Sequence, residues 1–242
     1  MKRWLIAGGV VLAILGVVAA LVLTGIVALN RPTRVEFPIQ GVDVSRYQGD
    51  IDWSVIAAQG VDFAFIKATE GSSYIDPHFD INREGARQAD VRVGAYHFFS
   101  FESSGAAQAA WFTANVPRLP GMLPPVADVE YYGSWVFSRP DREALTSELA
   151  AFLGALEQFY GVVPIIYCDE QLWNAYLASG FDHYLIWIRN VHSRPSLPDG
   201  KSWTFWQYTD RGRLAGYTGS ERFIDRNVFH GTNADFNALL IG

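Results

Sequence analysis

Cysteine, sequence repeats and clustered positive charge are scarce in this 242-residue sequence, and each shortage excludes a class of protein. Cys168 is the single cysteine, so no disulfide can form within the chain, and its apolar surroundings in residues 164–168 predict a buried, inert thiol. The net charge is −6 and no basic stripe occurs, which argues against a nucleic-acid partner. The five histidines lack the spacing of metal ligands, so we predict no metal and no cofactor.

Charge is also absent from residues 4–29. A helix over this segment would be roughly 39 Å long, enough to cross a hydrocarbon core of about 30 Å. The apolar core of a cleaved signal peptide is shorter, about 7–15 residues. We therefore predict an uncleaved transmembrane anchor at residues 4–29, with a cleaved signal peptide as the alternative. Residues 1–3 would be a short cytoplasmic N-terminus, residues 30–38 a linker and residues 39–242 a catalytic domain.

Strand and helix patterns alternate through the rest of the chain, which predicts an α/β fold with a single β/α barrel of the TIM type. Helical spacing is clearest over residues 141–160, and residues 77–89 and 105–115 also read as helices. Residues 190–202 and 209–220 look like loops, so the barrel should be irregular in its second half. The predicted strands are residues 39–44, 63–68, 91–98, 126–129, 164–167, 184–188, 204–208 and 222–224.

The pair Asp128 and Glu130 carries the strongest chemical signal. Residues two apart on a strand project from the same face, with Cα atoms about 6.6 Å apart. Two carboxyl groups on one face of an apolar strand repel each other, and burial favours their neutral forms. The arrangement suggests acid/base chemistry, and a solvent-facing strand end is the structural alternative. Asp43 and Asp225 also end apolar runs, as expected if all four acids meet at the C-terminal face of a barrel.

Seven short segments together resemble the glycoside hydrolase family 25 lysozymes, the Chalaropsis-type muramidases. The resemblance extends from about residue 39 to the end of the chain. It implies a flattened β/α barrel that cleaves the β-1,4 bond between N-acetylmuramic acid and N-acetylglucosamine in peptidoglycan. Its carriers are residues 41–45 with 48–49, 65–71, 94–98, 128–130, 186–187, 206–208, and 225–227 with 229.

The resemblance also implies roles for single residues. Glu130 matches the general acid of the family, and Asp128 matches its partner, either the nucleophile or the group that orients the substrate N-acetyl. Asp43 and Asp225 match two further acids of the site. Tyr96 and Trp206 match aromatic residues that line the groove, and Gln207 lies beside Trp206 in the same motif.

Two more residues stay open between a functional and a structural role. His97 follows Tyr96 at a strand end, so it either contacts substrate or makes a structural hydrogen bond. Glu70 ends the second predicted strand, so it either supports the site or caps the next segment. We include both among the candidate substrate-binding residues.

The sequence therefore predicts a membrane-anchored muramidase whose partner is the peptidoglycan glycan strand, with its catalytic domain periplasmic or extracellular. Cleavage would be acid-assisted and retaining, through either the substrate N-acetyl or a covalent intermediate on Asp128. The alternatives are a non-catalytic glycan-binding barrel and another hexosaminidase such as a chitinase. The sequence does not indicate an oligomeric state.

Overall fold

A computed structural model describes residues 2–23 and 30–242, and the chain divides into two compact units, Met1–Arg31 and Pro32–Gly242. In the first unit, helix α1 covers Lys2–Leu23. Over the described residues, no helix meets the combined length and apolarity that crossing a membrane requires. The structure thus does not support the transmembrane anchor predicted for residues 4–29, of which residues 24–29 lie outside the described part.

The second unit is a closed barrel, as predicted. Strand β1 pairs with both β2 and β9, which closes a ring of eight strands, and the short strand β3 pairs with the end of β2. The strands are β1 (Gln40–Val44), β2 (Phe63–Glu70), β3 (Tyr74–Ile75), β4 (Arg92–Phe98), β5 (Val126–Asp128), β6 (Ile165–Asp169), β7 (Leu185–Arg189), β8 (Phe205–Gly212) and β9 (Ile224–Phe229).

Helices connect most of the parallel strands and lie outside the ring. The three helices expected at 77–89, 105–115 and 141–160 are present, with ends shifted by two residues or fewer. Residues 190–202 contain only a 3₁₀ turn, Pro198–Gly200, so that connection is a loop as predicted. The helices are α2 (Trp53–Ala58), α3 (Phe79–Gln88), α4 (Gly105–Asn115), α5 (Arg142–Tyr160), α6 (Glu170–Leu172, continuing as a π-helical turn over Trp173–Leu177) and α7 (Asn233–Ala238).

Helix α5 shows how the sequence specifies these elements. The Asp141 side chain accepts the backbone N–H of Ala144 at 2.9 Å and caps the first turn. Gly161 ends the helix in the left-handed conformation, with φ of 70°. Where α4 meets α5, a Cβ atom at Gly105 would lie 1.8 Å from the Glu148 carbonyl oxygen. Only glycine allows the two helices to approach this closely.

The direction of β9 departs from a parallel barrel. It is antiparallel to both β1 and β8, whereas the other neighbouring strands of the ring are parallel. The sequence predicted a strand at 222–224, but the strand starts at Ile224 and continues to Phe229. Asp225 therefore lies near the start of its strand instead of the end. Because β9 runs in reverse, its start lies at the same barrel mouth as the ends of the parallel strands.

Side chains alternate between two cores, as they do along any strand. Aromatic rings fill the barrel interior, where Phe65 stacks on Trp187 with ring centroids 4.4 Å apart. Aliphatic and further aromatic side chains form a second core between the ring and the helices, in which Phe152 of α5 is fully buried. The interior is packed at its base, so only the mouth of the barrel is left open for a ligand.

Candidate active site

A cavity of about 420 Å³ lies at the mouth of the barrel. The four acids selected from the sequence all line it, together with Tyr96 and Gln207. Its other lining residues are Ser45, Tyr47, Lys67, Phe98, Tyr167, Trp187, Arg189 and Asp210. The sequence analysis therefore located the acidic centre, but it selected neither of the two cations around it and only Tyr96 of its aromatic residues.

Asp128 and Glu130 enter the cavity from the end of β5. The strand ends at Asp128, and Val129 between the two acids is fully buried in the outer core. Burial raises the pKa of Asp128 well above its ordinary value, and the neighbouring charge of Glu130 raises it further. The Oδ1 atom of Asp128 is buried and has no hydrogen-bond partner within residues 30–242.

Burial is also the main reason that the pKa of Glu130 is raised, and the guanidinium of Arg189 opposes the shift. Arg189 in turn donates to Asp210 at 2.7 Å. A carboxyl group with a raised pKa keeps its proton closer to neutral pH than an ordinary glutamate does. Glu130 is therefore suited to donate a proton.

Asp43 and Asp225 form a second acid pair on the opposite side of the cavity. They are direct partners in the β1–β9 ladder, and their carboxyl groups are hydrogen-bonded to each other. Burial and the negative charge of Asp43 raise the pKa of Asp225 to about 9. Burial raises the pKa of Asp43 as well, but two amide donors oppose it, Asn227 Nδ2 at 2.7 Å and Gln207 Nε2 at 3.0 Å.

Two aromatic residues that the sequence did not select hold these amides in place. The hydroxyl of Tyr167 donates to Gln207 Oε1 at 2.8 Å, and the indole Nε1 of Trp187 donates to Asn227 Oδ1 at 2.8 Å. Both rings lie on the inner faces of their strands, two residues beyond an apolar inward side chain. Strand periodicity was the signal that could have identified them.

Lys67 is a further inward residue that the sequence analysis did not select. Its Nζ atom donates to Glu70 Oε2 at 2.7 Å and lies 4.8 Å from the centre of the Phe98 ring. Its positive charge opposes the rise in the pKa of Asp128. Glu70 itself lines a neighbouring cavity and reaches the central one through Lys67.

Two predicted substrate-binding residues face away from the cavity. Trp206 is 2% exposed and donates through Nε1 to the carbonyl of Asn190 at 2.8 Å. His97 is fully buried between Thr69 Oγ1 at 2.7 Å and Gln108 Oε1 at 2.9 Å. Both side chains point outward because successive residues of a strand face opposite sides of the sheet. His97 follows Tyr96, and Trp206 precedes Gln207, and both of these neighbours face the cavity. His97 makes the structural hydrogen bonds of the alternative interpretation, and burial lowers its pKa to about 4.

The central cavity is part of a longer groove. A cavity of about 450 Å³ shares Asp43, Tyr96 and Asp225 with it and continues toward Glu221. On the other side, a cavity of about 350 Å³ shares Phe98 and contains Glu70 and several serines. The acids thus lie in the middle of an elongated, mostly polar depression, which suits a chain-like ligand with many hydroxyl groups.

Comparisons with known proteins identify relatives along most of the second unit. The family model for glycosyl hydrolases family 25 matches residues 42–217. A solved family 25 glycosyl hydrolase from Bacillus anthracis is 46% identical, with a TM-score of 0.81 over 86% of this chain and 96% of that one. A bacterial lysozyme structure from Streptomyces coelicolor is 36% identical, with a TM-score of 0.76 over 83% and 96%. Lysozyme M1 of Streptomyces globisporus is 35% identical over 83% of this chain and 71% of its own length.

Proposed function

The chain belongs to glycosyl hydrolases family 25, and from this membership and the geometry of its acids we propose how it acts as a lysozyme. It is a glycoside hydrolase that cleaves peptidoglycan, at the β-1,4 bond between N-acetylmuramic acid and N-acetylglucosamine. The observation that carries this function is the group of four acids at the mouth of a β/α barrel, of which Asp128 is buried and the other three are half-buried, and two of which adjoin at the end of β5.

Glu130 is the proton donor of the proposal. Its raised pKa supplies a carboxylic acid that can protonate the leaving glycosidic oxygen. As the C–O bond breaks, positive charge develops at the anomeric carbon, and the carboxyl groups around the cavity stabilise it. Glu130 is then a carboxylate, and it takes a proton from the water that completes hydrolysis.

Asp128 is the partner that positions the substrate. Its side chain lines the cavity, where its carboxyl group can accept the N–H of the N-acetyl group. The acetyl oxygen can then attack the anomeric carbon and form an oxazolinium ring, so no bond to the protein is required. Direct attack by Asp128 is the alternative, and both routes retain the β configuration.

Asp43 and Asp225 complete the acidic cavity. Their shared hydrogen bond favours one proton and one negative charge on the pair. The remaining charge faces the substrate from the side opposite to Glu130. We assign Tyr96 and Gln207 to substrate contacts because both line the cavity. For Trp206 and His97 the buried positions favour structural roles.

The elongated groove favours a polymeric substrate over a small sugar. A non-catalytic glycan-binding barrel would gain nothing from four clustered acids whose raised pKa values disfavour their charged forms. We therefore favour an enzyme over a binding module. In the domain organisation that we propose, residues 39–242 form the catalytic domain and residues 30–38 form a linker.

Peptidoglycan lies outside the cytoplasmic membrane, so we propose that the catalytic domain acts in the periplasm or outside the cell. We further propose that residues 4–29 attach the protein to the membrane. The only support for this attachment is the absence of charged residues from that segment of the sequence.

The deciding experiment is the loss of turbidity of purified cell wall, measured with the wild-type protein and with Glu130→Gln. Hydrolysis by the wild type and its loss in the variant support the proposed acid. New reducing ends at N-acetylmuramic acid distinguish a muramidase from an N-acetylglucosaminidase. Cleavage of chitin but not of cell wall would favour the chitinase alternative.

A further inference from the structure

Tyr47 is the most exposed of the aromatic residues that line the central cavity. It is 47% exposed, and it lines both the central cavity and the cavity of about 450 Å³ that extends toward Glu221, which we call the side arm. A ligand in the groove can therefore reach more of Tyr47 than of the other rings. Those rings are buried or half-buried, and they belong to Tyr96, Phe98, Tyr167 and Trp187.

The turn that carries Tyr47 is fixed to the barrel at its start. It is a 3₁₀ turn over Arg46–Gln48 that follows β1 directly. The backbone N–H of Arg46 donates to Asp76 Oδ2 at 3.0 Å. Because Asp76 is only 2% exposed, water does not compete freely for this hydrogen bond. The turn thus has a buried anchor on one side.

The loop between β8 and β9 holds the other side of the turn. The backbone N–H of Glu221 donates to the carbonyl of Tyr47 at 3.1 Å, and that of Gly219 donates to the carbonyl of Gln48 at 2.8 Å. A Cβ atom at Gly49 would lie 2.7 Å from the Cα atom of Gly219, so glycine permits this close approach. The backbone of Tyr47 is therefore ordered in advance, which lowers the entropy cost of binding a ligand there.

Arg46 holds the ring itself. Its guanidinium carbon lies 4.6 Å from the centre of the Tyr47 ring, and its Nη2 atom donates to the Tyr47 hydroxyl at 3.1 Å. The cation attracts the electron-rich ring and limits its rotation. Arg46 covers only part of the ring, since almost half of Tyr47 stays exposed. An oriented aromatic surface is left for a ligand.

Oxygen atoms surround this surface in the side arm. Ser45, Asp210 and Glu221 line the same cavity as Tyr47, and each carries a side-chain oxygen that accepts hydrogen bonds. A sugar ring has an apolar C–H face and a rim of hydroxyl donors. A flat apolar ring beside several acceptors matches both parts of such a ligand.

We propose that Tyr47 is a substrate-binding residue on which a hexosamine ring of the glycan strand stacks, at the junction of the acidic centre and the side arm. The inference rests on the proposed function, in which the glycan strand of peptidoglycan is the substrate. The stacked sugar lies beside the bond that breaks, so the contact is the same in the ground state and the transition state. Such a contact lowers KM and leaves kcat nearly unchanged.

The test compares Tyr47→Ala with Tyr47→Phe on soluble peptidoglycan glycan fragments of four or more sugars. Loss of the ring should raise KM about tenfold and change kcat by less than about threefold. Tyr47→Phe keeps the ring and should stay within about twofold of the wild type in KM. An unchanged KM in Tyr47→Ala, or an equal rise in both variants, would overturn the stacking contact.

Phe159→Ala is the matched control. Phe159 is 46% exposed, as Tyr47 nearly is, but it lies on helix α5 outside the ring of strands. Its removal should leave KM unchanged. Thermal unfolding shows whether each variant has folded. If Tyr47→Ala has not, Tyr47→Leu keeps an apolar side chain without a flat ring and should raise KM as well, and a KM equal to that of the wild type would contradict stacking.

Binding measured without hydrolysis separates this inference from the proposed function. The same fragments are titrated calorimetrically into Glu130→Gln and into Glu130→Gln with Tyr47→Ala, and we expect Kd to rise about tenfold in the double variant. If the wild type does not hydrolyse cell wall and Kd still rises, the stacking contact stands and the proposed function fails. If the wild type is active and neither KM nor Kd responds to Tyr47→Ala, only the stacking contact fails.

Discussion

Asp43 and Asp225 lie directly opposite each other on β1 and β9, with their carboxyl groups joined by a hydrogen bond. Two carboxylates cannot share such a bond unless one of them is protonated. Asp43 already accepts two amide N–H groups, so its negative form is stabilised. Asp225 therefore carries the proton, in agreement with the rise of its pKa to about 9.

This pair predicts how stability changes with pH. In the unfolded chain Asp225 titrates near 3.8, whereas in the folded protein it titrates near 9. Between these values the folded state binds more protons, so the contribution of Asp225 to the free energy of unfolding is fully present below pH 3.8 and is lost as the pH rises toward 9. The free energy of unfolding of Asp225→Asn, whose amide still donates to Asp43, should fall less over this interval.

Urea denaturation at several pH values from 4 to 9 measures that difference. One released proton contributes at most about 1.4 kcal/mol per pH unit to the slope. Asp80→Asn on the surface of α3 is a suitable control, since its side chain is exposed. Parallel curves for the wild type and Asp225→Asn would show that Asp225 does not hold the proton.

Glu130→Gln should reduce cell-wall hydrolysis by about 10²–10⁴-fold, the usual contribution of a general acid. The amide keeps the shape of the side chain but has no proton to give, so binding of glycan fragments should survive. Turbidity loss and a fragment-binding titration measure the two effects. Glu84→Gln on helix α3 supplies the control, and retention of more than about a tenth of the activity would refute the assignment.

The sequence predicted the strands and the four acids because both leave local signals. Apolar runs mark strands that are buried on both faces, and acids that follow such runs lie at strand ends. The direction of β9 has no such signal, since the apolar pattern of a strand is the same whether it runs parallel or antiparallel to its neighbours. The sequence therefore identified Asp225 but assigned it to the wrong end of its strand.

The sequence predicts whether a strand side chain faces the barrel interior or the helices, because side chains alternate between the two faces of a strand. Asp128 and Glu130 were placed together for that reason, and both line the cavity. The same rule applied to Phe65 and Trp187 would have indicated Lys67 and Arg189 as cations at the mouth. Long-range hydrogen bonds, such as that from Tyr167 to Gln207, depend on strand neighbours and could not be read from the sequence.

Tyr96 and Trp206 should respond differently to removal of the ring. Tyr96 lines the cavity, so Tyr96→Ala should raise KM for glycan fragments by about tenfold, the ratio for 1.4 kcal/mol of lost contact. Trp206 is buried in the outer core, so Trp206→Ala should destabilise the fold by about 3–5 kcal/mol. Thermal unfolding and steady-state kinetics below the melting temperature separate the two. A lower melting temperature for Tyr96→Ala than for Trp206→Ala would contradict the placement.

Residues 4–29 should keep the protein at a membrane with its catalytic domain exported. Their lack of charge motivates this expectation. An alkaline phosphatase fused to the C-terminus should be active in cells, and the fusion should sediment with membranes after a carbonate wash. Replacing Leu12 and Leu15 with arginine should abolish export, whereas replacing both with isoleucine should not. A soluble mature protein that starts near Arg31 would instead indicate a cleaved signal.

The anomer formed first should be β. Asp128 and Glu130 come from one strand end, two residues apart, so their carboxyl groups should be nearer the ~5–5.5 Å of retaining enzymes than the ~6.5–9.5 Å of inverting ones. ¹H NMR of the released reducing end, recorded before mutarotation, identifies that anomer. Removal of the muramic N-acetyl should abolish cleavage if the acetyl group participates, whereas a trapped adduct on Asp128 would indicate a covalent route. An α anomer would require a water-activating base, which Asp43 or Asp225 of the same cavity would then supply through a water molecule.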